Sequence, residues 1–333
     1  MDIILAIESS CDDTSAAICV DGKVLSNVTA SQAVHAAYGG VFPEYASRAH
    51  LVNIIPVVDA AIKQSGVLKE DINAVAFTRG PGLIGSLHVG IAFAKGFALV
   101  HDLPLIEVNH MQAHILAHFI EEPKPAFPFL CLTVSGGHTQ IVLVHDYLEM
   151  ELIGETQDDA AGEAYDKAAK MLGLTYPGGP MLDKLAHTGD PHKYEFPFPA
   201  IAKYGFSFSG LKTSILYFLQ KQTALNPTFI EENMPDLCAS IQYRINSILV
   251  SKLSKAAKDY HIKEVAIAGG VSANSGLRAM LADAGAKNNW NTFIPDFQYC
   301  TDNAGMIAIT AYHKFLRKDF SNQSVEPEVR MDV

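Results

Sequence analysis

The chain has no Cys-x-x-Cys pair, no uncharged apolar run of eighteen residues and no excess of basic side chains. Each absence argues against a class of function. The five cysteines (Cys11, Cys19, Cys131, Cys238, Cys300) are odd in number and widely scattered, and read as reduced, mostly buried thiols rather than a disulfide framework. The most hydrophobic helical stretch, Leu87 to Val100, is broken by His88 and Lys95, so no membrane protein is expected. Met1-Asp2 leads straight into a strand with neither a basic region nor a cleavage signal, and the expected location is cytoplasmic. With 36 acidic against 25 basic residues the net charge is −11, which argues against a stand-alone nucleic-acid binder. An RNA substrate would need a local basic patch or a partner protein.

What is present is a pattern that occurs twice. Ile3 to Ile7 is an apolar strand, Glu8 to Ser15 a polar stretch, Ala16 to Val20 a second strand, Asp21-Gly22 a hairpin turn and Lys23 to Thr29 a third strand. The plan returns as Phe129 to Val134, Ser135-Gly-Gly-His-Thr139, Gln140 to Val144, a turn at His145-Asp146, and Leu148 to Ile153. A chain of 333 residues has room for two such domains, and two related domains facing each other make a cleft. Between the copies, Pro43 opens a helix with an apolar stripe past Pro56, expected to kink there, and Asn73 to Thr78 is a strand. Ser86 is expected to cap the next helix, in which Gly90 and Gly96 point to close packing against another backbone. After the second copy come helices over Ala160 to Leu172, from Met181, over Ser209 to Gln222 and over Met234 to Tyr260. Gly189 to Lys203 reads as a long ordered loop or lid. Lys263 to Ala268 is a buried strand, and Thr301-Asp302-Asn303 caps a last helix, Ala304 to Leu316.

Chemistry concentrates in a few places. Asn109-His-Met-Gln-Ala-His114 puts His110 and His114 on one helical face, about 6 Å apart at Cβ, close enough to share a cation. A metalloprotease would need Glu after the first His, and Met111 stands there. Ser135 to Thr139 lies between two strands with no Lys after the glycines. It is therefore not a Walker-type loop, and it reads either as an anion-binding hairpin or as a plain turn. Gly269-Gly270 ahead of Asn274 presents a helix N-terminus to an anion or is a generic strand-to-helix turn. Asp302 reads as an N-cap when taken alone. Asp166 and Asp183, near Gly178-Gly179, suit ribose hydroxyls or are solvated helix carboxylates. Asp12 and Asp13 suit metal-water or general-base work, in a turn that favours Asp in any case.

In this order, the features follow the plan of the actin-like ATPase and sugar-kinase superfamily. The match narrows further. Ile7-Glu-Ser-Ser-Cys-Asp-Asp-Thr14, Tyr38-Gly-Gly-Val-Phe-Pro-Glu-Tyr-Ala-Ser-Arg48, Gly80-Pro-Gly-Leu83, Asn109 to His114, Val134 to Thr139, Phe206-Ser-Phe-Ser-Gly-Leu-Lys-Thr213 and Ala268-Gly-Gly-Val-Ser-Ala-Asn274 resemble the bacterial TsaD family, over nearly the whole chain. The resemblance implies an α/β, duplicated actin-like ATPase or sugar-kinase (RNase H-like) fold with a central cleft. Its lobes would be an N-terminal one of residues 1–115 plus 303–333, carrying the metal helix and a partner surface, and a C-terminal one of residues 116–302 that binds phosphate and nucleotide.

The implied activity is that of a tRNA threonylcarbamoyladenosine transferase. The threonylcarbamoyl group would pass from threonylcarbamoyl-AMP to the exocyclic amine of the adenosine 3′ of the anticodon. By the same resemblance His110, His114 and Asp302 ligate one divalent metal, Fe2+ usually and Zn2+ as the alternative. Thr133, Val134, Ser135, Gly136 and Gly137 cradle the phosphate and carbonyl, Asp166, Gly179 and Asp183 hold the ribose, and Asn274 holds the nucleotide. Archaeal and eukaryotic relatives have Tyr where Thr133 stands and Asn where His138 stands, leaving Thr133 or water in place of a Tyr ligand. Asp12 or Asp13 is the expected proton acceptor. Implied partners are the tRNA anticodon stem-loop, a non-catalytic TsaB-type paralogue bound through the N-terminal domain, and a TsaE-type P-loop ATPase. Phe206 to Thr213, with Lys212, either lines the tRNA approach or packs its phenylalanines in the core. The competing readings are a carbamoyltransferase for a small molecule and a non-catalytic scaffold of the same fold.

Overall fold

A computed structural model of the chain describes residues 1–32 and 40–333. Tyr38 and Gly39, the start of one motif quoted above, lie outside the described residues. In the first half the strands are β1 (Ile3–Glu8), β2 (Thr14–Val20), β3 (Lys23–Ala30), β4 (Ala74–Gly80) and β5 (Leu105–Asn109), with helices α1 (Pro43–Ser65), α2 (Ile84–His101) and α3 (His110–Leu116). Then follow β6 (Phe129–Val134), β7 (Thr139–Asp146) and β8 (Glu149–Glu155), and helices α4 (Ala161–Met171), α5 (Gly178–Ala186), α6 (Ser209–Leu225), α7 (Phe229–Glu232) and α8 (Met234–Asp259). The chain continues through β9 (Glu264–Ala268), α9 (Ser275–Asn288), β10 (Asn291–Phe293) and α10 (Ala304–Leu316).

The expected duplication is visible in the sheets. One is ordered β3-β2-β1-β4-β5, and the other, read in the same sense, β8-β7-β6-β9-β10. In each, the first strand pairs antiparallel with the second and parallel with the fourth. Asp21 and Gly22 both take positive φ, as a two-residue hairpin turn requires. Two units result: Met1–Lys124, Asp146–Met150 and Pro295–Val333 form one, and Pro125–His145 with Glu151–Ile294 the other.

In the first unit β1 is buried on both faces, which is why it reads as an unbroken apolar run. Ile3, Leu5 and Ile7 join the core under α1 and α2, while Ile4 and Ala6 join the core that includes Ala113 of α3 and Met306, Ile307 and Ala311 of α10. Among the described residues α2 is the one helix long and apolar enough to cross a membrane. Here Leu87, Ile91, Ala94 and Ala98 pack it onto the sheet. In the second unit α8 is the central post, burying Leu237, Ile241, Ile245, Ile248, Leu249 and Leu253. The stretch from Gly189 to Lys203 has neither helix nor strand, as expected. It is anchored by buried Phe196 and by the buried Lys252 ammonium, which donates to the carbonyls of Ile201 and Lys203.

Several local expectations are corrected. Helix α2 begins at Ile84 without a side-chain cap, and the buried Ser86 hydroxyl donates instead to the Cys11 carbonyl at 2.8 Å. The β1–β2 turn packs on this helix end and takes up the hydroxyl. At Gly90 an added Cβ would lie 2.3 Å from Ser9 Oγ, a side chain rather than a backbone, and at Gly96 it would meet nothing within 4 Å. Helix α5 starts three residues early, at Gly178, because Asp166 of α4 accepts from the amides of Gly178 and Gly179. The cap of α10 is Asn303, whose side chain accepts from Met306 N, so Asp302 is released from that duty.

Candidate functional site

Helix α3 follows β5 without a loop, and Asn109 makes the junction. Its Oδ1 accepts from the amides of Met111 and Gln112 at 2.8 and 3.1 Å, and its Nδ2 donates to the Asp332 carbonyl at 2.7 Å. The cap fixes the first turn of the helix and with it His110 and His114, both buried, with ring centroids 4.7 Å apart and planes at 86°. Asp302, just before α10, brings Oδ1 to 3.4 Å from His110 Nε2 and 3.2 Å from His114 Nε2. The three ligand-type atoms lie within 4.8 Å of one another.

Behind them stands Glu8, fully buried at the end of β1, with Oε2 3.0 Å from His110 Nδ1. Burial opposes ionisation of His110, but the carboxylates of Glu8 and Asp302 outweigh it and hold its pKa well above the ordinary imidazole value. Burial likewise works against charge on Asp302 and on Glu8, and the adjacent His110 outweighs it in both, so both carboxyls sit below their usual range. His114 is pushed down by burial, and its Nδ1 is a buried atom with no hydrogen-bond partner among the described residues.

These residues fit a divalent cation. Two imidazole nitrogens converge on a carboxylate oxygen that can only accept, in a buried site where a cation could take the place of the His110 proton, and the donor set is one used for zinc and ferrous iron. The pair Asp12 and Asp13 sits in the β1–β2 turn of the same unit. Burial pushes the Asp13 carboxyl up to about 7, against a hydrogen bond from Ser31, with the charges of Asp12, Asp302 and Glu8 adding to the rise. Cys11, beside them, is raised far above the thiol range by burial, then by Asp302 and Asp12, so it carries no thiolate.

The second unit holds a cavity of about 260 Å3 lined by Gly136, Asp166, Gly179, Asp183 and Asn274, five residues singled out from the sequence. Tyr165 also lines it and went unnoticed in the sequence, as did the network behind it. Tyr165 Oη donates to Asn246 Oδ1 at 2.7 Å, Asn246 Nδ2 to Asn274 Oδ1 at 3.1 Å, and Asn274 Nδ2 to Gln242 Oε1 at 2.9 Å. Asn274 Oδ1 also caps α9 by accepting from Leu277 N, so its oxygen is fully engaged. Both oxygens of Asp183 accept from Ser275, one from its amide and one from its hydroxyl. Asp166 is raised by burial, against the two glycine amides that it caps.

Thr133 and Val134 are fully buried in β6, away from the cavity lining. Ser135 Oγ accepts from His138 N, closing the β6–β7 turn and leaving Gly136 and Gly137 exposed at its tip. Phe206 and Phe208 are core residues, and Lys212 is exposed on α6.

The family model described as TsaD, tRNA N6-adenosine threonylcarbamoyltransferase, matches residues 23–309. A curated relative of that same description from Christiangramia forsetii is 60% identical over 330 residues, covering 98% of this chain and 97% of the relative. Among solved structures, component A of (R)-2-hydroxyglutaryl-CoA dehydratase from Acidaminococcus fermentans superposes with TM-score 0.55 at 17% identity, covering 94% of this chain and 99% of that one. T. kodakarensis HypF gives TM-score 0.62 at 13% identity over 96% of this chain and 48% of its own. At such identities the structures show the fold, the duplicated actin-like ATPase and sugar-kinase architecture. With a family model spanning most of its length and a relative of this identity, the chain belongs to the TsaD family of tRNA N6-adenosine threonylcarbamoyltransferases.

Proposed function

We propose that the chain transfers the threonylcarbamoyl group of threonylcarbamoyl-AMP to N6 of the adenosine 3′ of the anticodon in tRNA. The observation that carries the site assignment is the meeting of His110, His114 and Asp302 within 4.8 Å, in a chain whose curated relatives bear the transferase name. These three residues would hold one divalent ion, iron or zinc. When bound, such an ion supplies a Lewis acid, worth several kcal/mol wherever negative charge develops on an acyl oxygen.

In the transfer, the amine nitrogen forms a bond to the carbamoyl carbon, the bond from that carbon to the phosphate oxygen breaks, AMP departs with the electron pair, and the amine proton goes to a base. Asp13 fits the base because its carboxyl, raised to about 7, is an acceptor matched to neutral pH, and Asp12 is its neighbour in the turn. The cavity of the second unit is the adenylate site. Gly136 of the lining, with Gly137 next to it, would let backbone amides approach the phosphate, and Asp166, Gly179 and Asp183 of the lining would meet the ribose hydroxyls. Thr133 and Val134, buried in β6 and outside the cavity lining, would support the site only from behind. Asn274 holds the wall of the cavity by capping α9.

An apolar surface supports the partner reading. Leu51, Val52 and Ile55 of α1 are each more than 60% exposed, an apolar face on the first unit suited to a TsaB-type paralogue. A TsaE-type ATPase completes the assembly, and with a net charge of −11 part of the basic surface for tRNA comes from these partners. The test is an assay of purified chain with both partners, synthetic threonylcarbamoyl-AMP and anticodon stem-loop RNA, with metal analysis of the same sample. Donor- and RNA-dependent formation of threonylcarbamoyladenosine is expected. Turnover of carbamoyl phosphate without RNA would replace this reading with the small-molecule one.

A further inference from the structure

We infer that Glu8 is a positioning residue of the metal centre: it keeps the hydrogen of His110 on Nδ1 and so leaves Nε2 as the ligand nitrogen. This rests on the reading of His110, His114 and Asp302 as ligands. Glu8 has no access to solvent, so its oxygens find all their partners in the protein. Its Oε1 accepts from Ser10 N at 2.5 Å, and its Oε2 accepts from Thr78 Oγ1 at 2.5 Å while lying 3.0 Å from His110 Nδ1. Ser10 Oγ lies 3.2 Å from the same nitrogen. An ionised carboxylate only accepts, so Nδ1 must donate. When Nε2 gives up its proton to bind a cation, the ring keeps one hydrogen, on Nδ1, and the freed Nε2 lone pair lies on the side of Asp302.

The two histidines are thus unequal. One is steered by a carboxylate, while the other, with Nδ1 unpartnered, is held by packing and Asp302. Glu8 also balances charge. Two neutral imidazoles with the carboxylates of Glu8 and Asp302 sum to −2, which a divalent ion cancels within a buried site.

The geometry makes Glu8→Gln a sharp probe. Ser10 N is a fixed donor, so the amide oxygen must stay where Oε1 is, which turns the NH2 group toward His110. Nδ1 must then accept, its hydrogen moves to Nε2, and the ligand nitrogen is blocked although shape and volume are unchanged. Zinc affinity of the full chain, measured by chelator competition at one pH, is expected to fall 10- to 100-fold in Glu8→Gln. In long-range 1H–15N spectra the zinc-loaded wild type is expected to show the His110 hydrogen on Nδ1, and the metal-free variant to show it on Nε2. Zinc binding by Glu8→Gln within twofold of wild type, or a wild-type His110 with its hydrogen on Nε2, overturns the inference. If the variant does not fold, the wild-type spectrum decides. His114→Ala separates the two levels: zinc affinity untouched there brings down the metal reading itself, whereas affinity lost there and kept in Glu8→Gln brings down only the role of Glu8.

Discussion

The turn between β1 and β2 and the turn between β6 and β7 occupy the same place in two sheets of identical strand order. Their contents are opposite. The first is bounded by the fully buried Glu8 and carries Asp12 and Asp13, the latter held near neutrality. The second carries no carboxylate and exposes Gly136 and Gly137 at its tip. One copy of the unit gathers buried carboxylates, as the proposed cation and proton chemistry needs, and the other offers bare backbone, as the proposed anion site needs. The difference shows that the scaffold fixes the position of a site, while burial and side-chain charge choose its chemistry.

Removing what the acidic turn serves should have the largest effect. His114→Ala is expected to lower transfer at least about 10³-fold, the equivalent of about 4 kcal/mol, with loss of bound metal and a retained cooperative melt. Kinetics and metal analysis of one preparation check this.

Asp13→Asn comes next, with a loss of about 10²- to 10⁴-fold as expected for a general base. The wild-type rate should climb as pH passes through about 7 and then level, and this limb should vanish in the variant. Stability gives a second sign. Because the folded pKa lies above that of the unfolded chain, the folded state binds the extra proton between them, and stability falls as pH rises from about 4 to about 7. The variant escapes that fall, so its advantage over wild type in denaturant melts should be absent at pH 4 and full at pH 8.

On the glycine side, an added Cβ at Gly136 meets nothing within 4 Å, so Gly136→Ala should fold normally and weaken AMP binding about five- to tenfold by calorimetry. The smallest effects belong to α2, which backs the acidic turn. Gly96→Ala, in open space, should stabilise by about 0.5–1 kcal/mol, whereas Gly90→Ala, driven against Ser9 in that turn, should destabilise, and thermal melts of the pair would show it.

Much of this was legible in the residues themselves. Asp21-Gly22, the repeated strand-turn-strand pattern and the four-residue spacing of His110 and His114 are local signals, and local signals survive into the structure. What was not legible depended on distance along the chain. Glu8 lies 102 residues from His110 and closes an apolar strand, where nothing nearby marks it. Asp302 reads locally as a cap, and only the identity of Asn303 as the true cap frees it. Asp166 caps a helix twelve residues away, and Tyr165 reaches the cavity network through Asn246, 81 residues on.

One feature of the first unit bears on how the protein is made. Helix α10 and Asp302 come from near the far end of the chain, yet the amides of Ala304 and Gly305 are taken up by Ser15 Oγ and Asn27 Oδ1 of the first hairpin. Vectorial synthesis therefore delivers the second unit whole while the first still lacks α10 and Asp302. Until α10 has emerged from the ribosome, the apolar face of the first sheet that it covers stays open to solvent.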